Sequence, residues 1–206
     1  MDLATLKTEA RKKMNGYCRV CPACNGRACA GEVPGMGGTG SGASFMANFD
    51  ALAAVKLNLS AIHDALDPDT AVSFFGQAIS SPIMAAPMVN SKMNAGGALS
   101  EKEMAEAITV GTHLAGSLTW LGAPLSNSYE WYEAMEGVGR GVVIGKPLTD
   151  QDRIIETFRS AEKRGAVAVG IDVDGAGLVT MKLLGYPVGP KTISQLQELA
   201  QSTRLP

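Results

Sequence analysis

Four cysteines, Cys18, Cys21, Cys24 and Cys29, follow the pattern C-x2-C-x2-C-x4-C. Four thiolates this close in sequence can hold a tetrahedral zinc ion or an iron–sulfur cluster. The first two spacings match a bacterial 4Fe–4S run, and the last is one residue longer. Free reduced thiols in a loop are the alternative reading. Arg19 and Arg27 would offset part of the thiolate charge. A second chemical candidate, Gly35-Met36-Gly37-Gly38-Thr39-Gly40, follows no strand pattern and lacks Gly-Lys-Ser/Thr. It is therefore neither a Walker loop nor a dinucleotide fingerprint, and reads as a hinge or as backbone near an active site. The two histidines, His63 and His113, read as structural or exposed residues.

The elements that must position these groups follow from periodicity. Leu3, Leu6, Ala10 and Met14 recur at helical spacing and predict a helix over 2–16, stopped by Gly16. A second helix is expected from Ser44 to about Leu57. A short strand is expected near Ala71–Phe75, with a turn at Gly76-Gln77. From Ser81 a train of strand and helix units begins. Its strands are Ile83–Ala86, Ser117–Leu121, Gly141–Gly145 and Val167–Val173. Its helices cover Ser100–Leu114, Ser128–Met135, Asp150–Arg164 and Thr192–Gln201. Ser100 and Glu103 supply a capping box, and Gly165 a C-terminal cap. The strands are unbroken apolar runs, as parallel strands buried on both faces should be. A loop containing Leu183-Leu184-Gly185-Tyr186 precedes the last helix, and Arg204-Leu205-Pro206 leads toward a fifth strand.

Composition agrees with an α/β chain. Of 206 residues, 46% are hydrophobic and 18% charged, enough for a sizeable core. Glycine is abundant at 24 residues while aromatics are only 5%, which suits many tight turns. A formal net charge of −2 gives no global attraction to nucleic acid or an anionic membrane. No signal peptide or membrane-spanning run is visible, so the expected location is the cytoplasm, where thiols stay reduced.

The stretch from about Gly42 to Asp174 resembles the FMN-dependent α-hydroxy-acid oxidase and dehydrogenase family. The resemblance is carried by Phe75-Gly76-Gln77-Ala78-Ile79-Ser80-Ser81-Pro82-Ile83-Met84-Ala85-Ala86-Pro87, by Gly116-Ser117-Leu118-Thr119-Trp120, by Ala161-Glu162-Lys163-Arg164-Gly165-Ala166 and by Ile171-Asp172-Val173-Asp174. The type 2 isopentenyl-diphosphate isomerases share this flavin barrel, and these pieces alone do not separate the two families. The implied fold is the N-terminal half of a TIM (β/α)8 barrel, about four βα units over residues 44–206, behind a helical and Cys-rich leader over residues 1–43. A whole barrel takes about 250 residues.

The resemblance implies FMN as cofactor, a small 2-hydroxy acid as substrate, and Ala85, Ala86, Pro87, Met88, Thr119 and Lys146 as flavin contacts. Small residues at 85–87 would let backbone approach the ring. Lys146 stands where the family has a glutamine, and a cation there would stabilise charge on the reduced ring. Asp172 replaces a threonine and would pair with Lys146. Leu148 replaces the family's substrate-binding tyrosine. The family's catalytic histidine, substrate-binding arginine and phosphate site would fall after Pro206. The expectation is therefore weak or no catalysis by residues 1–206 alone, with a homo-oligomer or a second chain completing the barrel. An iron–sulfur cluster beside a flavin would suit a dehydrogenase. The competing implications are a flavin-dependent isomerase and a non-catalytic metal- or flavin-binding half-barrel.

Overall fold

The structure is a computed structural model. It describes residues 2–32, 38, 40–89, 92, 95–124, 133–134 and 140–206. The chain divides into two compact units, Met1–Asp69 with Ser91–Ala98, and Thr70–Asn90 with Leu99–Pro206.

The first unit holds two helices. α1 (Leu3–Lys13) starts where the Asp2 carboxylate accepts from Thr5 N–H, and Arg11, Lys12 and Lys13 face its negative end. The chain then reverses through Asn15 and Gly16, both at positive φ. α2 (Ala43–Ala54) is the second helix of the sequence analysis, shorter at its C-terminal end. Neither helix has a buried residue. Leu57, Leu59, Ile62 and Leu66 beyond them are each at least 94% exposed.

The second unit opens with a hairpin where the sequence suggested one strand and a turn. β1 (Val72–Phe74) pairs antiparallel with β2 (Gln77–Ile79). Phe75 and Gly76 join them at φ 47° and 70°, the two left-handed positions a type I′ turn requires. A parallel sheet follows, built from β3 (Thr119–Gly122), β4 (Gly141–Gly145) and β5 (Ala168–Ile171) in that order. Its helices are α3 (Glu101–Leu114), with the Ser100/Glu103 capping box in place, and α4 (Gln151–Lys163), capped by Asp150. A 3-10 turn (Val173–Gly177) and the short α5 (Val179–Leu183) occupy the stretch read as loop. α6 (Ile193–Gln201) closes the chain behind a Thr192/Gln195 capping box. The expected helix over Ser128–Met135 lies outside the described residues, apart from helical 133–134. Most of the glycine-rich run also lies outside them.

Alternation along the strands sends side chains to two layers. Leu121 and Val143 face α3 and α4, in a cluster with Ala105, Ala123, Ala161 and Ala166. They are 1% and 0% exposed. Val142 and Ala168 face the other way, with Trp120, Ile144 and Met84 packed against Ile79 of the hairpin. Trp120 and Ile144 are only half-buried, so the inner face is partly open where the helix face is sealed. The expectation of burial on both faces therefore holds for one face. A mixed α/β fold with a parallel sheet and, among the described residues, no closed barrel is the half-barrel architecture the sequence implied.

The expected first strand, Ile83–Ala86, joins no ladder. It still runs beside β3. Ser117 Oγ donates to the Ile83 carbonyl at 2.6 Å, and Trp120 Nε1 donates to Met84 Sδ at 2.8 Å. A Cβ on Gly122 would meet Val89 Cγ1 at 3.0 Å. The segment thus occupies a strand's place through side-chain contacts. At the opposite edge, Val169 N–H donates to the Pro206 carbonyl at 3.1 Å, so the last residues run along β5.

Candidate active site at the carboxyl end of the sheet

The register places Gly145 opposite Ile171, so the next residues, Lys146 and Asp172, leave adjacent strands side by side. Lys146 Nζ donates to Asp172 Oδ2, with side chains 20% and 24% exposed. The second carboxylate oxygen, Oδ1, accepts from Gly175 N–H at 2.9 Å and caps the 3-10 turn. A Cβ on Gly175 would come within 2.4 Å of that oxygen, so this grip needs glycine. Asp172 therefore holds the lysine with one oxygen and the following turn with the other.

The strand-to-helix connection beyond Lys146 is pinned. Leu148 bridges to Val188, and Thr149 N–H donates to the Pro187 carbonyl at 2.9 Å. Lys191 Nζ donates to the Leu148 carbonyl and to Gln151 Oε1. Burial pushes the Lys191 ammonium below its ordinary pKa, against the pull of Asp150. Sequence reasoning missed Lys191, whose partners lie some forty residues away, at Leu148 and at the start of α4.

Ala85 and Pro87 are half-buried, Ala86 is exposed and Met88 is 42% exposed. Among the described residues, the backbone groups of Ala85, Ala86, Pro87 and Met88 make no hydrogen bond. Half-buried backbone normally finds a partner. Among the described residues this run has none, and the small side chains of Ala85, Ala86 and Pro87 leave room for the flat polar edge of a flavin beside the end of β3.

Thr119 is placed otherwise. It is 2% exposed, and its hydroxyl sits 2.6 Å from Thr112 Oγ1 on α3. Its side chain belongs to the helix layer, because the strand's phase turns it away from the inner face. The cavity lined by Ala123, Pro124, Gly145, Lys146, Ile154 and Thr157 is small, about 20 Å³. A larger cleft, about 470 Å³, lies at the amino end between Gln77, Ser80, His113, Ser117 and Arg140. Barrel enzymes work from the carboxyl end. His113 is thus at the wrong end of the sheet for that chemistry, and His63 is exposed in the first unit.

In the first unit, among the described residues, no three His, Cys, Asp or Glu side chains form a group that could hold a metal. The sequence reading of Cys18, Cys21, Cys24 and Cys29 as a formed zinc or iron–sulfur site is not met by the geometry. Arg19, expected to offset thiolate charge, is committed to Glu32 at 2.7–2.8 Å. Burial raises the Cys29 thiol's pKa, Glu32 adds to the rise and Arg19 opposes it.

The profile of the FMN-dependent dehydrogenase family matches residues 35–198. The chain belongs to the FMN-dependent dehydrogenase family. Solved structures give the fold of this family member a direct counterpart. Mandelate oxidase superposes with a TM-score of 0.70 at 23% identity, over 99% of this chain and 60% of that one. Mandelate oxidase with benzoyl-formic acid gives 0.70 at 24% identity, over 99% and 59%. A mandelate oxidase variant with a C4a-OH-FMN adduct gives 0.69 at 22% identity, over 98% and 59%. The dehydrogenase-family chain thus spans about 59% of the length of that oxidase. No curated protein sequence matches. Among the described residues, no helix is long and apolar enough to cross a membrane.

Proposed function

We propose that this chain binds FMN at the carboxyl end of its parallel sheet and serves the oxidation of a small 2-hydroxy acid. The family match over residues 35–198 carries the reading. The mandelate oxidase structures with an FMN adduct and with benzoyl-formic acid support cofactor and substrate class. When bound, FMN accepts the electrons of such an oxidation.

Ala85, Ala86, Pro87 and Met88 would hold the flavin through backbone groups. Lys146, kept in place by Asp172, would offer positive charge to it. Thr119 would support the sheet from the helix side. Leu148, where the family carries a tyrosine, leaves an apolar side chain near the substrate and favours a 2-hydroxy acid with an apolar substituent. Partnership with a second copy or a second chain belongs to the same reading, supported by Ile83 at 79% exposure beside β3. Four unbridged cysteines support a reducing compartment, the cytoplasm.

FMN titration followed by flavin fluorescence tests the binding. The expected outcome is saturable quenching at about one flavin per chain, weakened roughly tenfold or more by Lys146→Met. Quenching that never saturates, or an affinity equal in wild type, Lys146→Met and Gly122→Val, overturns the reading.

A further inference from the structure

The cleft at the amino end of the sheet has no role in the flavin reading. Its volume is about 470 Å³. Small organic ligands occupy cavities of about 300–1,000 Å³. Its walls are β2 with Ser80, the end of α3 with the turn into β3, and Arg140 just ahead of β4. Ile79 and Leu118, 5% and 3% exposed, give the lining an apolar part.

The polar part of the lining has one sign. Arg140 reaches back 63 residues to the hairpin, where its guanidinium donates to Gln77 Oε1 at 2.6 Å. That partner is a neutral amide, so it aims the guanidinium without cancelling its charge. Among the described residues, Arg140 makes no other hydrogen bond, and the His113 ring and the Ser80 hydroxyl make none. No Asp or Glu side chain lines the cleft among the described residues. Bare carbonyls at a helix end would repel an anion. Three carbonyls around this turn are already covered. Gly116 N–H donates to His113 O at 2.9 Å, Ser117 N–H to Thr112 O at 2.9 Å and Ser80 N–H to Gly116 O at 2.8 Å. This wall therefore offers fewer acceptors than a bare helix end.

We propose that this cleft binds a small organic anion, a carboxylate or a phosphate ester with an apolar body. Arg140 takes the oxyanion, because its planar fork fits carboxylate and phosphate oxygens alike. His113 and Ser80 add donors from α3 and the hairpin. Ile79 and Leu118 meet the apolar body. The site lies at the opposite end of the sheet from Lys146 and Asp172, so it stands apart from the flavin proposal.

Amide NMR spectra of the full chain are followed while inorganic phosphate, phenyl phosphate, benzoate and neutral benzamide are added in separate titrations. Saturable shifts are expected at Ser80, Gly116 and Ser117 with phenyl phosphate or benzoate. The better of these two should bind roughly tenfold or more tightly than inorganic phosphate or benzamide. A preference for phenyl phosphate identifies a phosphate ester as the ligand class, and a preference for benzoate identifies a carboxylate. Arg140→Gln should weaken the better probe about tenfold or more, and Arg140→Lys by less, because lysine keeps the charge and loses the fork. The wild-type shift map needs no variant, so the test stands however the variants fold. Shifts absent from Ser80, Gly116 and Ser117, or confined to Lys146 and Gly175 at the flavin end, overturn the proposal. So does an affinity unchanged in Arg140→Gln, or one matched by benzamide or inorganic phosphate.

Discussion

The two units of this molecule are held together by different forces. The second seals Leu121, Val143, Ile154 and Ala161 at 1% exposure or less between sheet and helices. The first buries no hydrophobic side chain among its described residues. It relies on the Arg19–Glu32 pair, the Arg11 hydrogen bonds and turns at Asn15, Val20 and Gly26. Apolar burial is non-directional and cooperative, whereas exposed polar braces hold only those conformations whose geometry they match. The difference predicts a rigid platform at the sheet's carboxyl end and a unit that opens locally at low cost.

That contrast can be broken most forcefully in the core. Leu121→Ala should cost about 2–5 kcal/mol in urea unfolding, since it leaves a cavity between β3 and α3. A loss under about 1 kcal/mol would deny the sheet its sealed face. Asp172→Asn should cost about 1–3 kcal/mol, because Lys146 loses its charged acceptor in a partly buried place. It should also lower protection from hydrogen exchange at Gly175, whose N–H shares that carboxylate.

Gly26→Ala should cost about 1–2 kcal/mol of local stability by forcing a Cβ into the left-handed region. Hydrogen exchange should then rise over residues 15–32, with β3, β4 and β5 unchanged. Equal loss of protection in the sheet would show that the units share one core. The smallest effect is acidic. Arg19 holds the Glu32 carboxyl below its ordinary pKa, and Arg204 with Thr203 does the same for Glu162. A folded-state pKa below the unfolded one gives stability that is present above the unfolded value and is lost as pH falls through the folded one. Titration below the ordinary carboxylate range should therefore loosen the cysteine loop through Glu32, and Glu32→Gln should remove that dependence.

Much of the second unit was legible because its strands are short apolar runs between strong caps. β4 begins and ends where Gly141 and Gly145 place it, and the Ser100/Glu103 and Thr192/Gln195 pairs mark their helices. The pairing of Lys146 with Asp172 followed from equivalent positions at the ends of neighbouring parallel strands. The hairpin was less legible, because Phe75 is an unfavourable residue for a left-handed turn and gives no turn signal. The failure of Ile83–Ala86 to form a ladder strand was also hidden, since an apolar run signals burial without showing which backbone will face it. Thr119 shows the same limit on one residue. Its type allowed a flavin contact, but the phase of β3 against α3 gave its hydroxyl to Thr112.

The sequence by itself determined the family, the order of the three parallel strands with α3, α4 and α6, and the cysteine spacing. These depend on residue type and on separation along the chain, which are written in it. Only the tertiary structure decided that Asp172 divides its two oxygens between Lys146 and Gly175, that Ala85 to Met88 make no backbone hydrogen bond among the described residues, and that Arg11 and Glu32 brace the cysteine loop. Those outcomes turn on distances and directions between residues far apart in the chain, set when packing fixes one register and one strand phase.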